Sequence, residues 1–245
     1  MLVDPTENLR LSPKGEHSRG LLRFFHGCFS LIIVSKITAL KLQKRNNNRV
    51  NIYLDGEYAF GLTRIIAAWL EVGQELSKEK IKQLQEQDAV EIALQKAIHY
   101  LSYRPRSKDE VRKNLKKKEI PDHIIDETIE RLQRGGLLND KKFAELWVEN
   151  RSEFRPRGIR VLRMELRQKG ISDSIIDIVT SNIDEDHLAY QAAIKKAWKF
   201  RGLEWKDFRK KMYGFLSRRG FDYGIITSII LKAWEDLSSH ENRKK

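Results

Sequence analysis

The sequence has very little cysteine: Cys28 is the only one among its 245 residues. A single cysteine excludes a disulfide framework within the chain and any cysteine-based zinc finger, and it favours a reducing cytoplasm. Long hydrophobic runs are also missing. The apolar stretch Leu21–Val34 has 14 residues and contains Arg23 and His26, whereas a membrane span needs about 20 apolar residues. We therefore expect a cytoplasmic protein without a membrane span, and we interpret residues 1–34 as an N-terminal extension without a signal peptide.

Signatures of catalysis are absent as well. The sequence contains no G-x-x-x-x-G-K-[ST], G-x-G-x-x-G, H-E-x-x-H or G-x-S-x-G motif, and its six histidines have no metal-ligand spacing. The acidic pair Asp184 and Asp186 lies at a predicted helix start, where capping explains it. We therefore predict that the protein is not an enzyme and uses neither a metal nor a cofactor.

Positive charge, by contrast, is in excess. Lysine and arginine total 47 against 34 acidic residues, which gives a net charge of +13. Such a balance favours a polyanionic partner: nucleic acid, an anionic membrane surface or an acidic protein groove. A merely soluble basic protein is the alternative, and only the placement of the charge along the chain separates these possibilities.

The chain after residue 35 begins with the alternating apolar and polar residues that are typical of strands. In Val50–Leu62 this alternation surrounds Asp55 and Gly56, the strongest short signal for a β-hairpin. Ile37–Arg45 indicates another strand, which a turn at Asn46–Asn48 closes. We therefore predict a three-stranded antiparallel sheet.

Such a sheet needs a cover to be stable. The apolar segment Arg64–Leu70 and a helix that begins after Ser77 are suited to this role. Further along, Asp88 and Glu91 have the spacing of a capping box, which indicates another helix start. From there to the end, the pattern is helical.

Two near copies of one basic pentapeptide, YRPRS at Tyr103–Ser107 and FRPRG at Phe154–Gly158, lie 51 positions apart. A wider repeat accompanies them. Leu115, Leu166 and Leu216, at spacings of 51 and 50, each begin a stretch in which a helix end is followed by a pair of isoleucines. Each repeat therefore contains three helices, and the pentapeptide is the joint between the first and the second. We place the helices at 89–102, 107–118 and 121–134 in the first repeat, at 140–153, 157–169 and 172–183 in the second, and at 186–201, 205–219 and 222–237 in the third.

The predicted fold is mainly α: a tandem array of three three-helix repeats preceded by a small antiparallel β-sheet/helix domain. The third repeat has FRGLEWKD (Phe200–Asp207) in place of the pentapeptide. At the ends of the second helices, Glu119, Gly170 and Gly220 occupy a position that favours a left-handed backbone. The predicted boundaries are 35–86 for the small domain, 87–139, 140–185 and 186–238 for the repeats, and 239–245 for a polar tail.

The second helices are basic, whereas the third helices begin acidic. Residues 104–118 hold eight bases and two acids, 155–169 six bases and one acid, and 195–219 ten bases and two acids. Residues 119–130 and 172–186 each hold five acids and no base. For any single side chain, a solvated surface position is the simpler interpretation. The separation of basic from acidic residues is repeated, however, and this indicates a basic stripe that lies apart from the acids. Such a stripe suits a long polyanion or an elongated acidic partner. The candidate binding residues are Arg104, Arg106, Lys108, Arg112, Lys113, Lys116, Arg155, Arg157, Arg160, Arg163, Arg167, Lys169, Arg201, Lys206, Arg209, Lys210, Arg218 and Arg219.

A helix-turn-helix DNA reader is a rival interpretation, in which the third helix of a repeat would enter the major groove. Those helices begin PDHIIDE and SDSIID, with acids where phosphates would lie, which argues against it. Aromatic residues also interleave with the bases and could stack on unpaired nucleobases. Most of them occupy helix-end or apolar-stripe positions, which favour core packing: Tyr100, Tyr103, Phe154, Phe200, Trp205 and Phe208.

Three stretches, Tyr100–Ile120, Arg131–Arg151 and Arg155–Ile171, contain recognisable motifs. The second and third match the patterns G-[LI]-[LI]-[DN]-D-x-x-[FY]-A and G-x-x-x-[IL]-x-x-x-L-x-x-K-G-I, and the first is similar to Y-x-R-x-R-S-x-x-E-[LV]. In these motifs the chain resembles the RecX family, bacterial regulators of the RecA recombinase. The segment VNIYLDGEYAF is similar to the N-terminal part of longer members, so that the resemblance covers about residues 35–237.

The resemblance implies a repeat protein that lies along the helical groove of the RecA–DNA filament. There it modulates, and usually inhibits, filament growth, ATP hydrolysis and strand exchange, in DNA repair, recombination and the SOS response. Arg104, Arg106, Arg155 and Arg157 are the preferred interface candidates, although Arg104 can equally bind carbonyl groups at a neighbouring helix end. Asp140 is expected to be a helix cap.

The expected partners are therefore the RecA nucleoprotein filament and DNA. The DNA contacts are expected on the backbone, without sequence specificity, and on single strands rather than duplex. We expect a monomer with no membrane partner. The alternative is a standalone nucleic-acid-binding helical repeat protein that acts without RecA.

Overall fold

A β-hairpin turns at Asp55 and Gly56 in this computed structural model, which describes residues 34–242 and their side chains up to residue 239. Both turn residues have positive φ angles, 51° and 94°, as a two-residue type I′ turn requires, and the predicted hairpin is confirmed. The sheet is antiparallel, in the order β3-β2-β1-β4. Its strands are β1 (Val34–Gln43), β2 (Asn46–Leu54), β3 (Glu57–Thr63) and β4 (Glu75–Ser77).

The sheet has four strands, so the prediction of three is wrong. The additional strand β4 pairs with the start of β1, where Val34 lies opposite Ser77. With only three residues, β4 is too short to produce an alternating pattern. Its pairing partner is also distant in the chain, which leaves no local signal for it.

The first turn of the sheet lies earlier than predicted. Lys44 and Arg45 form it, and Asn46 already pairs with Gln43 as the first residue of β2. The backbone N–H of Asn48 donates a hydrogen bond to Oδ1 of Asn46 (3.0 Å). Asparagine indicates a turn because of such local side-chain bonds, but here the bond forms at the start of a strand.

The predicted cover of the sheet is present. It consists of α1 (Arg64–Ala67), the chain that follows it, and the first half of α2 (Lys78–Leu101). Leu70 and Leu84 are buried against the strands. Ser77 caps α2 as expected, since its hydroxyl accepts a hydrogen bond from the backbone N–H of the third helical residue (3.2 Å).

Helix α2 continues without a break past residues 86 and 87, where the sequence predicts a domain boundary. The predicted cap at Asp88 is wrong, because Asp88 lies inside α2 and is only 5% exposed. Its carboxylate accepts hydrogen bonds from the backbone N–H of Thr63 and from the guanidinium of Arg49 (3.1 Å). Asp88, which the sequence pattern assigns to a helix start, instead attaches the middle of α2 to the sheet.

Three helices per repeat follow, as predicted, and the second half of α2 is the first of them. Leu115, Leu166 and Leu216 are each fully buried, which confirms the register of the repeat. Each repeat encloses an apolar core of its own. The other helices are α3 (Lys108–Lys116), α4 (Asp122–Arg134), α5 (Asp140–Phe154), α6 (Ile159–Gln168), α7 (Asp173–Thr180), α8 (Glu185–Ala197), α9 (Trp205–Ser217) and α10 (Tyr223–Asn242), with a short 3-10 helix at Trp198–Phe200.

The second helix of every repeat ends in a left-handed residue, which confirms that expectation. The φ angles are 58° at Glu119, 74° at Gly170 and 87° at Gly220. This conformation turns the chain sharply, so that the third helix packs against the second. Glu119 adopts it at a steric cost, since its Cβ approaches the following carbonyl group.

We expect Glu119→Gly to raise the free energy of unfolding by about 0.5–1 kcal/mol, because glycine adopts a positive φ without that cost. Urea denaturation at neutral pH measures the difference. Glu119→Ala is the matched control, since it removes the same charge but keeps a Cβ. A gain in the alanine variant equal to that in the glycine variant would assign the effect to charge instead of backbone conformation.

Neighbouring repeats are joined through their second helices. At the first joint, the hydroxyl of Ser107 donates a hydrogen bond to the carbonyl of Lys169 (2.6 Å). At the second joint, the backbone N–H of Gly158 donates to the carbonyl of Arg219 (2.9 Å). Ser107 and Gly158 are the last residues of the two pentapeptides, so these pentapeptides lie where one repeat meets the next.

The helix that follows each joint begins against an acidic side chain of the next repeat. Asp140 accepts a hydrogen bond from the backbone N–H of Lys108 (2.7 Å), and Glu185 accepts one from Ile159 (3.1 Å). Asp140 is therefore a cap, as expected, but it caps α3. The cap of its own helix is Asn139, whose side chain accepts from the third helical residue.

The described residues belong to one compact unit. Within them, none of the helices combines the length and the hydropathy needed to cross a bilayer. The predicted N-terminal extension up to residue 33, Cys28 within it, and residues 243–245 of the predicted tail lie outside the described residues.

Candidate functional site: the basic surface of the repeats

The basic second helices of the first two repeats lie against the acidic starts of the third helices. Arg112 on α3 forms an ion pair with Asp126 on α4. At the same positions one repeat later, Arg163 on α6 pairs with Asp177 on α7. The expectation that the acids lie apart from the basic stripe is therefore wrong, because the turn between the two helices brings them face to face.

A second ion pair of each repeat has the same spacing. Lys116 lies 2.9 Å from Asp122, and Arg167 lies 2.7 Å from Asp173. All four side chains are half or more exposed, so each pair contributes at most about 1 kcal/mol to stability. Their larger consequence is electrostatic, since they neutralise much of the positive charge that the sequence assigns to these helices.

Glu110 is the centre of the first joint between repeats. Its carboxylate accepts hydrogen bonds from Arg104 of its own repeat (2.9 Å) and from Lys169 of the next (2.8 Å). Burial by itself raises the pKa of Glu110, but the hydrogen bonds from these two cations outweigh it and lower the pKa to about 2. Arg104 also donates to the carbonyl of Pro105 (3.0 Å), the adjacent residue, which lies outside the helices.

Arg106 is held against Tyr100. Its guanidinium lies 3.6 Å from the centre of the tyrosine ring and donates to the tyrosine hydroxyl (2.9 Å) and carbonyl (3.2 Å). A cation placed over a ring and hydrogen-bonded to the same residue ties the end of α2 to the start of α3. The pentapeptide of the first repeat thus uses both of its arginines within the protein.

The second pentapeptide is different, because it brings three arginines together. Arg219 donates to the carbonyl of Pro156 (2.7 Å), and burial, with Arg157 and Arg155 nearby, lowers its pKa. Arg157 lies 3.2 Å from the carboxylate of Glu165, although its Nε–H is not directed at an acceptor among the described residues. Arg155 is exposed and forms no ion pair within the described part of the chain, so its charge is available to a partner.

The candidate residues therefore fall into groups that the sequence does not distinguish. One group forms ion pairs: Arg104, Arg112, Lys113, Lys116, Arg157, Arg163, Arg167 and Lys169. Arg106 and Arg219 bind neutral groups. Among residues 34–239, the others are exposed and without an ion-pair partner: Lys108, Arg155, Arg160, Arg201, Lys206, Arg209, Lys210 and Arg218. Most of the unpaired charge thus belongs to the third repeat and to the joint that precedes α6, with the first turn of α6.

The aromatic residues of the basic segments divide in a similar way. Phe208 is fully buried, as expected from core packing, whereas Tyr103 and Phe154 are exposed by 69% and 64%. Sequence reasoning missed two others, Tyr213 and Tyr223, which are also exposed. The first two repeats have charged residues at the equivalent positions, so the sequence signal for Tyr213 and Tyr223 is the replacement of a charged residue by tyrosine.

This surface offers cations and aromatic rings. Within the described chain, no group of three or more His, Cys, Asp or Glu side chains is arranged to hold a metal ion. Arginine and lysine side chains without acidic partners bind phosphate or carboxylate groups, and exposed rings bind flat apolar ones. The chemistry that the arrangement supports is recognition of an anion.

Models of known domain families match four segments of the chain. The RecX N-terminal domain matches residues 35–77, and the first, second and third three-helix domains of RecX match 93–132, 139–179 and 184–230. Together these segments span most of the chain. The first three-helix match lies within the first predicted repeat, and the second and third begin one and two residues before theirs.

Similar full-length proteins and solved structures agree. The regulatory protein RecX of Bacillus velezensis is 37% identical over 200 residues, which are 79% of this chain and 76% of that protein. The regulatory protein RecX of Bacillus subtilis is 35% identical over 197 residues, which are 78% of this chain and 75% of that protein. A crystal structure of regulatory protein RecX aligns with a TM-score of 0.66 at 28% identity, over 80% of this chain and 98% of that one. RecX from Lactobacillus salivarius aligns with a TM-score of 0.53 at 29% identity, over 60% and 97%. The chain therefore belongs to the RecX family of regulatory proteins.

Proposed function

We propose that this protein binds along the groove of the RecA–DNA filament in the cytoplasm and inhibits the recombinase and its ATP hydrolysis. Membership of the RecX family is the observation that supports this most directly. The protein acts by binding, without catalysis of its own. Its partners are the nucleoprotein filament and, through backbone contacts, the DNA within it.

The distribution of charge supports an extended anionic partner. Arg155, Arg160 and Arg201 are exposed cations without an ion pair among the described residues, and they belong to successive repeats or the joint between them. Stacked repeats present such groups over a long surface, which a filament can contact at several points. Many weak contacts along one polymer add up to a stable complex.

We expect substoichiometric amounts of the protein to lower the rate of ATP hydrolysis by RecA on single-stranded DNA. Replacing Arg155, Arg160 and Arg201 with glutamate should raise the concentration that gives half-inhibition by about 10-fold or more, since each reversal replaces attraction by repulsion. These three side chains have no acidic partners among the described residues, so the fold should be retained. Circular dichroism checks the helicity.

The matched control reverses three exposed lysines of α2, Lys78, Lys80 and Lys96, and changes the net charge by the same amount. If the placement of the charge matters and the total charge does not, the concentration of this control variant that gives half-inhibition should stay close to that of the unchanged protein. The proposal is wrong if the unchanged protein alters neither ATP hydrolysis nor filament length. Binding to DNA together with that result would favour a standalone nucleic-acid-binding protein.

A further inference from the structure

The third repeat lacks the ion pairs that join the second and third helices of the other two. Its register follows from Leu216, 50 positions after Leu166. By that register, Tyr213 and Thr227 replace the pair Arg163–Asp177, while Ser217 and Tyr223 replace Arg167–Asp173. Where the first two repeats have interhelical charge pairs, the third therefore has two tyrosines and two hydroxyl side chains.

The two tyrosines lie together at the surface. Their ring centres are 6.2 Å apart with an interplanar angle of 66°, an edge-to-face arrangement. Tyr213 is 39% exposed and Tyr223 is 66% exposed. The pair therefore presents aromatic surface to solvent on α9 and at the first turn of α10, where the other repeats present charged groups.

These tyrosines line a groove of about 900 Å³ between α9 and α10. Lys206, Arg209 and Lys210 line the same groove, and no acidic side chain in residues 34–239 forms an ion pair with any of them. Asp207 is the one acid among the lining residues. A second basic groove of about 480 Å³ adjoins it and shares two lining residues of α9; its bases are Lys196, Lys210, Lys211 and Arg218.

Exposed rings beside cations without partners fit one ligand class better than others. Unpaired nucleobases stack on aromatic side chains, and the phosphates beside them bind lysine and arginine. In duplex DNA the faces of the bases are covered by their neighbours, so the rings would have no role there. An acidic peptide would use the cations but leave the tyrosines without a flat partner.

We propose that the groove between α9 and α10 binds single-stranded nucleic acid, with a base on Tyr213 or Tyr223 and phosphates on Lys206, Arg209 and Lys210. This inference deepens the proposed function and rests on it, because single-stranded DNA is the polymer on which the RecA filament forms. It assigns the DNA contact to the third repeat and not to the whole basic surface. At the positions of Tyr213 and Tyr223, the first two repeats have charged residues that form ion pairs.

The test measures the binding of the full chain to a labelled oligothymidylate by fluorescence anisotropy, without RecA. Replacing both tyrosines with alanine should weaken binding by about 10-fold or more, since each stacked base contributes roughly 1–3 kcal/mol and 1.4 kcal/mol corresponds to a factor of ten. Phenylalanine at both positions should preserve binding, because it keeps the rings. Thermal melting of each variant checks that it is folded.

Two further measurements separate stacking from charge. An abasic strand of equal length should bind the unchanged protein as weakly as the normal strand binds the double alanine variant. Lys206→Gln with Lys210→Gln should reduce the slope of log affinity against log salt by about 0.7 for each phosphate that the variant no longer binds. The double alanine variant should keep the slope of the unchanged protein.

Equal affinity of the double alanine variant and the unchanged protein for oligothymidylate would overturn the proposal, and so would equal affinity for single strand and duplex. If the alanine variant loses inhibition of RecA while its DNA affinity is unchanged, the groove binds protein and the proposal is again wrong. Failure of the proposed function would be seen in a different experiment, as a lack of effect of the unchanged protein on RecA. Oligothymidylate binding is measured without RecA.

Discussion

Replacing Gly158 with alanine is expected to lower the free energy of unfolding by about 3 kcal/mol, at the upper end of the usual cost of overpacking. Gly158 has an ordinary backbone conformation, with φ −64° and ψ 153°, so conformational strain is not the reason. An added Cβ would lie 2.3 Å from the carbonyl oxygen of Gly220 and 2.7 Å from the carboxylate of Glu185. Since the first contact is with backbone, α6 and α9 would have to separate, and the joint between the second and third repeats would open.

Urea denaturation with m-value analysis measures this loss. Gly224→Ala on α10 is the matched control, because an added Cβ there meets no atom within 4 Å. That change should leave stability within about 0.5 kcal/mol or raise it slightly through helix propensity. If Gly158→Ala is as stable as the control, the repeats do not pack as closely at this joint as the structure describes.

Replacing Glu110 with glutamine should lower the free energy of unfolding by about 2 kcal/mol at neutral pH. Arg104 and Lys169 would lose the negative charge with which both pair, and the Glu110 side chain is only 15% exposed. The pKa of Glu110 is lowered to about 2 in the folded protein from 4.5. A lowered pKa stabilises the fold above the unfolded value, and this contribution is lost as pH falls through the folded value. The stability difference between the unchanged protein and the variant should therefore decrease from about pH 4.5 and vanish near pH 2.

Denaturation of both proteins over this pH range measures the difference. Glu127→Gln is the control: Glu127 pairs with Arg131 at the surface (3.0 Å) and is 47% exposed, so its loss should cost less than about 0.5 kcal/mol. A difference for Glu110→Gln that does not change between pH 5 and pH 2 would mean that the carboxylate charge does not hold the joint.

Much of the fold could be predicted because its signals are local. Hairpin turns, helix caps and left-handed helix ends depend on a few consecutive residues, and Asp55, Ser77 and Glu119 adopt the conformations that their neighbours indicate. The repeat added a further constraint, since three copies of one pattern define a common register. The prediction failed for β4, because its partner strand is distant in the chain. It also failed at Asp88, because a spacing typical of a helix cap belongs here to a residue that binds the sheet.

The candidate site could be predicted only in outline. The sequence indicates which helices are basic, but whether a base is free depends on which side chain lies across from it. Arg112 and Arg209 both belong to basic second helices, yet Arg112 is paired with Asp126 and Arg209 is not paired within the described chain. Tyr213 became a candidate only when its position in the groove was known.

The sequence by itself determined the class of fold, the number and register of the repeats and the family. These depend on periodic apolar positions and local helix ends, which any chain with this pattern must satisfy. The tertiary structure alone decided how the charge is distributed. Contacts between helices and between repeats neutralise most of the bases in the first two repeats and leave most of those in the third repeat facing solvent. Only packing brings residues that are distant in the chain within reach of one another.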